Sequence, residues 1–229
     1  MKINVAIPVY DGKVPVETVR CLLNEQTVGL LGGDIVQFRF LPNCSHPAMG
    51  RNQLAQDFMD SDFDRLVFLD SDITFEPGAL IKLAKQPVDF VGGAYRFKNE
   101  TEIYPVGWLE NKELWANEHG LLEIAHLPGG FMSLSRNVFE TLKSAHPERE
   151  YDHLGHKAHC YFEMKFQDDS LYGEDVHFCK EWRKVGGKVF LDPEIKLTHW
   201  DFNRPYVGHI GNWLKKRAGI AQVSAGGKA

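Results

Sequence analysis

The sequence is short of several features, and each shortage removes a class of protein. Its four cysteines, Cys21, Cys44, Cys160 and Cys179, are widely spaced and form no CxxC pair. A disulfide scaffold is therefore not expected, and free thiols are the simplest reading. No run approaches the roughly 20 apolar residues that a membrane-spanning helix needs. The opening Met1-Lys2-Ile3-Asn4-Val5-Ala6-Ile7-Pro8 is too soon broken for a secretory signal. The expectation is a cytoplasmic protein without a transmembrane segment, peripheral membrane association being left open. Positive charge is not in surplus either: 26 Lys and Arg stand against 31 Asp and Glu, a formal charge of −5. A general nucleic-acid binder is usually basic, so no nucleic-acid partner is expected. Any phosphorylated ligand must be met by local cations, backbone N–H groups or a metal. There is no internal repeat and no linker that would split the chain. Oligomeric state is not legible.

What is present is a regular alternation of strand and helix signals. Residues 2–7 form a short apolar run, and residues 15–25 follow with Val16, Val19, Leu22 and Leu23 on one predicted helical face. Residues 34–41 are a second strand. Pro47 precedes a helix carrying Leu54, Ala55, Phe58 and Met59. Residues 65–69 are apolar after Arg65, as a buried central strand would be. Pro77 then marks a helix start, with Leu80, Ile81, Leu83 and Ala84 as its buried stripe. Residues 88–91 return to the sheet. This order implies an α/β fold with a mostly parallel, doubly wound sheet. The second half is less regular. Strands are expected at 104–109, 121–127, 131–134, 188–191 and 196–199, the last two finishing the same sheet. Helices are expected at 137–145 and 174–185, with Val176, Cys179, Trp182 and Val185 on one face of the second. Residues 151–170 read as a polar loop with an embedded strand, and residues 224–229 as a frayed tail.

The chemistry concentrates at Asp70-Ser71-Asp72, where the apolar strand Val67-Phe68-Leu69 ends in two carboxylates. Ligands of open α/β sheets bind beyond the carboxyl ends of strands. On an extended chain alternate side chains point the same way, so Asp70 and Asp72 are expected to converge. Two like charges so close call for a cation or a proton. Carboxylate oxygens suit Mg2+ or Mn2+, which keep positions open for substrate phosphates. An Asp-x-Asp tripeptide by itself often only caps a turn. Asp70-Ser71-Asp72-Ile73-Thr74 also looks like the first motif of haloacid dehalogenase phosphatases, with a nucleophilic first Asp. That family places the motif on its first strand, whereas here more than 60 residues of α/β pattern precede it.

Five elements in order make the chain resemble the GT-A glycosyltransferases, especially those like family 2, over roughly residues 3–213. They are Ala6-Ile7-Pro8-Val9-Tyr10, Gly50-Arg51-Asn52, Asp70-Ser71-Asp72, Pro128-Gly129-Gly130-Phe131-Met132, and Gly173-Glu174-Asp175 followed by a helix and Leu197-Thr198-His199. Each is weak alone; the order and spacing carry the resemblance. It implies one GT-A-like domain over residues 1–229. Residues 1–97 would be the nucleotide-sugar half, 98–200 the acceptor-side half with a smaller mixed-strand region, and 201–229 a C-terminal lid and tail. It implies a nucleotide-sugar donor, UDP favoured and GDP possible, and a hydroxyl acceptor on a glycan or other glycoconjugate. The nucleotide would meet Pro8, Val9, Tyr10, Asp11, Arg51, Asn52, Asp70, Ser71 and Asp72. Mn2+ or Mg2+ would sit on Asp70, Asp72 and His199, with Asp201 an alternative ligand. Asp175 would be the base of an inverting transfer and Glu174 its hydroxyl-binding neighbour, with the reverse assignment and a retaining course both open.

The residues support parts of this on their own. Tyr10 and Asp11 follow a strand end, where a ring can stack on a base and a carboxylate can accept a base N–H or ribose hydroxyl; a surface turn is the plain alternative. Glu174 and Asp175 stand at a helix start, which the dipole favours without any catalysis. Gly129-Gly130 lets backbone approach a ligand or simply turns. Gly130, Phe131 and Trp108 are the acceptor-side candidates, with Trp115, Tyr161 and Phe162 a looser sugar platform. The aromatics and cations Trp200, Tyr206, His209, Trp213, Lys215, Lys216 and Arg217 read as a lid or, equally, as a plain amphipathic end. His153, His156, His159 and Cys160 lack a second ligand pair at zinc-finger spacing, so a loop is favoured over a zinc site. Two other functions stay open: a catalytically inactive carbohydrate-binding protein, and a sugar-nucleotide nucleotidyltransferase. The second would want a richer phosphate loop than Val9-Tyr10-Asp11-Gly12-Lys13 provides.

Overall fold

A computed structural model describes residues 1–110, 113–153 and 155–217. The expected frayed tail, 224–229, and the end of the expected lid lie outside the described residues. The first half runs β1 (Lys2–Val9), α1 (Val16–Leu31), β2 (Ile35–Pro42), α2 (Pro47–Met59), β3 (Arg65–Leu69), β4 (Ile73–Phe75), α3 (Ala79–Ala84) and β5 (Phe90–Gly92). Then come β6 (Leu122–Ile124), β7 (Phe131–Ser135), α4 (Arg136–Ala145), β8 (Glu150–His153), β9 (His156–His159), β10 (Lys165–Gln167) and β11 (Ser170–Tyr172). The chain closes with α5 (Glu174–Lys184), β12 (Val189–Leu191), β13 (Leu197–Asp201), β14 (Arg204–Gly208) and α6 (Ile210–Arg217).

The central sheet has seven strands in the order β2-β1-β3-β7-β5-β12-β6. β1 pairs parallel with β2 and β3, and β5 with β12, while β7 and β6 run antiparallel to their neighbours. The sheet is thus mainly parallel. Along β3 the side chains alternate between its faces. Leu66 and Phe68 join Leu54 and Phe58 of α2, Phe139 of α4 and Phe178 of α5. Val67 and Leu69 join Leu22 of α1 and Leu80 and Leu83 of α3. Burying each such side chain contributes about 1.5–3 kcal/mol. This two-faced burial holds the end of β3, and so Asp70, against movement.

Several expectations are corrected. Residues 104–109 form no strand and contribute only an isolated bridge, Gly107 to His126. The loop of 151–170 contains two hairpin arms, β8 with β9, and the start of a second hairpin at β10. β13 does not finish the central sheet; it pairs with β4 and β14 in a separate three-stranded sheet. Val176 on α5 and Val185 just after it are only half-buried, while His177, Phe178 and Glu181 are buried.

The face of α1 is also different. Val16 is 73% exposed and Leu23 58%, while Thr18, Leu22, Glu25 and Gly29 are buried. The reason is Glu25. Its Oε2 accepts the Gly78 N–H at 2.7 Å and its Oε1 the Ile81 N–H at 2.7 Å. A carboxylate from α1 therefore caps the open N–H groups of α3, which has no side-chain cap of its own. Replacing Glu25 by alanine strands those donors in the interior. The expected loss is about 2–3 kcal/mol, near the top of the range for buried unsatisfied groups, and urea unfolding measures it. A loss under about 0.5 kcal/mol contradicts the capping role.

Candidate active site

β3 ends at Leu69, and the chain turns at once. The Ile73 N–H donates to the Asp70 carbonyl at 3.1 Å, closing a tight turn between β3 and β4. Asp70 and Asp72 are therefore not alternate residues of one extended strand, as expected, but members of a turn. Their side chains have different partners. The turn is fixed on three sides: the Asp70 N–H donates to the Gly130 carbonyl at 3.0 Å, the Trp200 N–H to the Asp72 carbonyl at 2.8 Å, and the Thr18 hydroxyl to the Ser71 carbonyl at 2.8 Å.

Asp70 belongs to a charge network built on a buried arginine. Arg51, on the second turn of α2, is only 4% exposed. Its Nη2 donates to Asp70 Oδ1 at 2.8 Å, and its Nη1 is hydrogen-bonded to Glu174 Oε1. One guanidinium thus spans acids that lie 19 and 123 residues from it. The Tyr95 hydroxyl approaches Asp70 Oδ2 at 3.4 Å. Burial, the largest influence, raises the Asp70 carboxyl above its ordinary range; Arg51 opposes this, and Asp72 and Asp175 add to it. Burial and the Asp70 charge hold the Tyr95 phenol well above its usual value, so it stays a donor.

Asp72 has partners of its own, two cations or potential cations. Lys98 Nζ lies 2.7 Å from Oδ2, and His199 Nε2 lies 3.4 Å from the same oxygen. Burial alone would raise this carboxyl, but the hydrogen bonds from His199 and Lys98 outweigh it and hold it below its ordinary value. The other imidazole nitrogen, Nδ1, is 3.0 Å from the Arg96 carbonyl. A carbonyl only accepts, so Nδ1 carries the proton. Nε2 faces Asp72 Oδ2, a contact that either a proton on that nitrogen or a cation shared with the carboxylate satisfies.

The turn before β7 closes the site from above. A Cβ on Gly129 would lie 2.8 Å from the Arg51 guanidinium carbon, and one on Gly130 would lie 2.4 Å from Asp70 Oδ2 and 2.8 Å from the Tyr95 hydroxyl. These two glycines are there for close approach, not merely for a turn. The Gly129 N–H donates to Asp175 Oδ2 at 3.0 Å, and the Val176 N–H to Asp175 Oδ1 at 2.7 Å. Glu174 and Asp175 begin α5, so the helix N-terminus aims both acids at this turn.

The structure thus brings Arg51, Asp70, Asp72, Gly130, Glu174, Asp175 and His199 together, but other expected residues face elsewhere. Phe131 is fully buried against Phe75, so its ring is closed to an acceptor. Val9 is a core residue, and its carbonyl accepts the Cys44 N–H at 2.9 Å. Asn52 is 5% exposed and spends its amide on Tyr161 and Phe162: its oxygen accepts both N–H groups at 2.8 Å and its nitrogen donates to the Phe162 carbonyl at 2.8 Å. It positions α2 and is closed to a nucleotide. Tyr161 and Phe162 are core residues too. Tyr10 is 74% exposed at the rim beside Pro8 and Asp11. Trp108 lines a hollow of about 210 Å3 with Leu109, Glu113, Leu114 and Glu123, none of them from the acidic cluster. Trp213 packs on Tyr104 and donates to the Glu102 carbonyl at 2.8 Å, and Trp200 donates to Thr74 at 2.9 Å. Both indoles are thus tied to the body of the fold. Sequence reasoning missed Tyr95 and Lys98, which sit in the aperiodic stretch after β5 and reveal no partner by spacing.

A cavity of about 740 Å3 opens beside α2, between the loop after β2 and residues 148–163. Gly50 and Asn52 line it, whereas Asp70, Asp72 and Asp175 do not. Chemistry marks the site better than volume: charged groups are concentrated at the β3 turn. Among the described residues no group of three His, Cys, Asp or Glu side chains stands ready-made to hold a metal ion. The donor set of Asp72 and His199 does suit Mn2+ or Mg2+ by chemistry, and Lys98 shows that this position already attracts positive charge. The four cysteines are free thiols. No helix of the described residues is long and apolar enough to cross a membrane.

No family model matches the chain, and no curated protein matches it in sequence. Solved structures do match. The protein A197 from STIV superposes over 89% of this chain and 88% of its own, with a TM-score of 0.57 and 21% identity. The catalytic domain of Drosophila β1,4-galactosyltransferase 7, in complex with xylobiose, matches over 91% of this chain and 70% of its own, with a TM-score of 0.50 and 14% identity. GalNAc-T7, solved with UDP, GalNAc and Mn2+, matches over 93% of this chain but 48% of its own, with a TM-score of 0.51 and 13% identity. The fold is therefore that of the GT-A glycosyltransferases.

Proposed function

We propose that this chain is a divalent-cation-dependent glycosyltransferase, moving a sugar from a nucleoside-diphosphate donor to a hydroxyl of a glycan or glycoconjugate. The observation that carries the proposal is the convergence, at the end of one buried strand, of two carboxylates, an imidazole, a buried arginine and a helix-start acid pair. Asp72 and His199 would hold the cation, with Asp70 the adjoining carboxylate. Bound there, Mn2+ or Mg2+ would screen the charge that grows on the leaving diphosphate.

The chain's own residues would do the rest. Tyr10 and Asp11, at the rim beyond β1, would meet the base and ribose, UDP being the favoured nucleotide. Arg51 would keep Asp70 and Glu174 ordered while the substrates enter. Glu174 has a carboxylate oxygen committed to the buried Arg51 guanidinium. Asp175 is oriented by two backbone N–H groups and keeps lone pairs to spare. We therefore assign Asp175 as the base that takes the acceptor proton in an inverting transfer. The acceptor would enter beside Gly130, with Glu174 near its hydroxyls.

A screen of sugar nucleotides for hydrolysis, in MnCl2 and in EDTA, tests the reading. One donor class should be hydrolysed slowly in Mn2+ and none in EDTA. Binding of free sugar without nucleotide or metal, and no hydrolysis of any donor, would favour a carbohydrate-binding protein instead.

A further inference from the structure

The stretch after β5 brings a second function to the Asp72 position. The Arg96 carbonyl orients His199, as described, and two residues later Lys98 places its ammonium on Asp72. The backbone between them is firmly held. Arg96 Nη2 donates to the carbonyls of Asn99 at 2.8 Å and Glu100 at 3.0 Å, and the Phe97 N–H donates to the Ile103 carbonyl at 2.9 Å. Arg204 Nη2 reaches Glu100 at 2.6 Å, and the guanidinium groups of Arg96 and Arg204 lie 5.8 Å and 4.8 Å from the centre of the Tyr206 ring. The loop is thus clamped, but the Lys98 side chain is 30% exposed. A long flexible stem on a fixed base lets its point charge move without moving the loop.

Lys98 and His199 share one oxygen, Oδ2 of Asp72. A divalent cation shared by Asp72 and His199 would come close to the ammonium already on that oxygen, and two cations so near each other repel. We propose that Lys98 is the resident counter-ion of Asp72: a divalent cation displaces its ammonium, which then turns to the donor diphosphate. This rests on the reading of Asp72 and His199 as metal ligands. It gives the empty site a neutralised carboxylate, and it gives the loaded site a cation for the phosphate oxygens that the metal leaves free.

The test is Mn2+ binding, followed by electron paramagnetic resonance, to the nucleotide-free wild type and to Lys98→Met and Lys98→Arg. Without its competitor, Lys98→Met should bind Mn2+ about fivefold tighter, the equivalent of one partly exposed ion pair. Lys98→Arg should resemble the wild type. In saturating Mn2+, calorimetry should show Lys98→Met binding UDP about tenfold more weakly, through loss of a charge-assisted contact. Equal Mn2+ affinity in the wild type and Lys98→Met, or UDP affinity unchanged by the substitution, overturns the role of Lys98. Absence of Mn2+ binding in all three proteins overturns the underlying metal reading instead.

Discussion

Asp72→Ala is expected to lower metal-dependent donor turnover by about 10³-fold while leaving the fold intact. Removing one preorganised electrostatic stabiliser typically costs 10²- to 10³-fold in rate, and here the lost group would also be a metal ligand. Stability should change little. The Asp72 side chain is 35% exposed, and its structural bond is made by its backbone carbonyl, which accepts from Trp200 and survives the substitution. Its ion pair with Lys98 is partly exposed, worth at most about 1 kcal/mol. Steady-state kinetics beside a thermal melt separates the two effects. A kcat/KM within about tenfold of the wild type, in a folded variant, removes Asp72 from the chemistry.

Arg51→Met should act in the opposite sense, through stability first. Arg51 is nearly inaccessible and neutralises Asp70 and Glu174 together. Burial, the largest influence on it, would lower its proton affinity, yet Asp70 and Glu174 outweigh that and raise it, so the guanidinium stays charged. Removing one partner of a buried ion pair leaves uncompensated charge, at about 3–5 kcal/mol. For a chain of this size that is a fall in Tm of about 10 °C. Arg51→Lys should recover only part, because one ammonium lacks the fork that spans both acids. The double variant Arg51→Met with Asp70→Asn should be less destabilised than the sum of the single changes, since the stranded charge is also removed. A melt within about 2 °C of the wild type would show that the network is ornamental.

The sequence was legible wherever local pattern and tertiary burial agree. β3 is apolar along four consecutive residues because both of its faces are covered, and it was found with its bounds intact, Arg65 to Leu69. The stripe Leu80, Ile81, Leu83 and Ala84 of α3 is buried as its spacing required. Legibility failed where a polar residue does interior work for a distant segment. Glu25 turns the face of α1 because its carboxylate is bonded to backbone 53 and 56 residues away. Asn52 looked like a ligand residue and is instead a tie between α2 and residues 161–162. Phe131, beside the closely packed Gly129 and Gly130, follows strand alternation into the core. Lys98 and Tyr95 had no pattern to announce them; they enter the site only because β5 lies next to β7 in the sheet. At Asp70 and Asp72 the expected geometry differs from the observed one. The pair is presented by a turn held by Gly130, Trp200 and Thr18, not by strand alternation.

Crystals grown with MnCl2 and UDP, measured at the manganese edge, put the whole proposal to its simplest trial. One anomalous peak should stand within bonding distance of Asp72 Oδ2 and His199 Nε2, in contact with the UDP phosphates, with the Lys98 ammonium moved off the carboxylate. Manganese bound only elsewhere, or UDP seated with its phosphates away from the β3 turn, would contradict it.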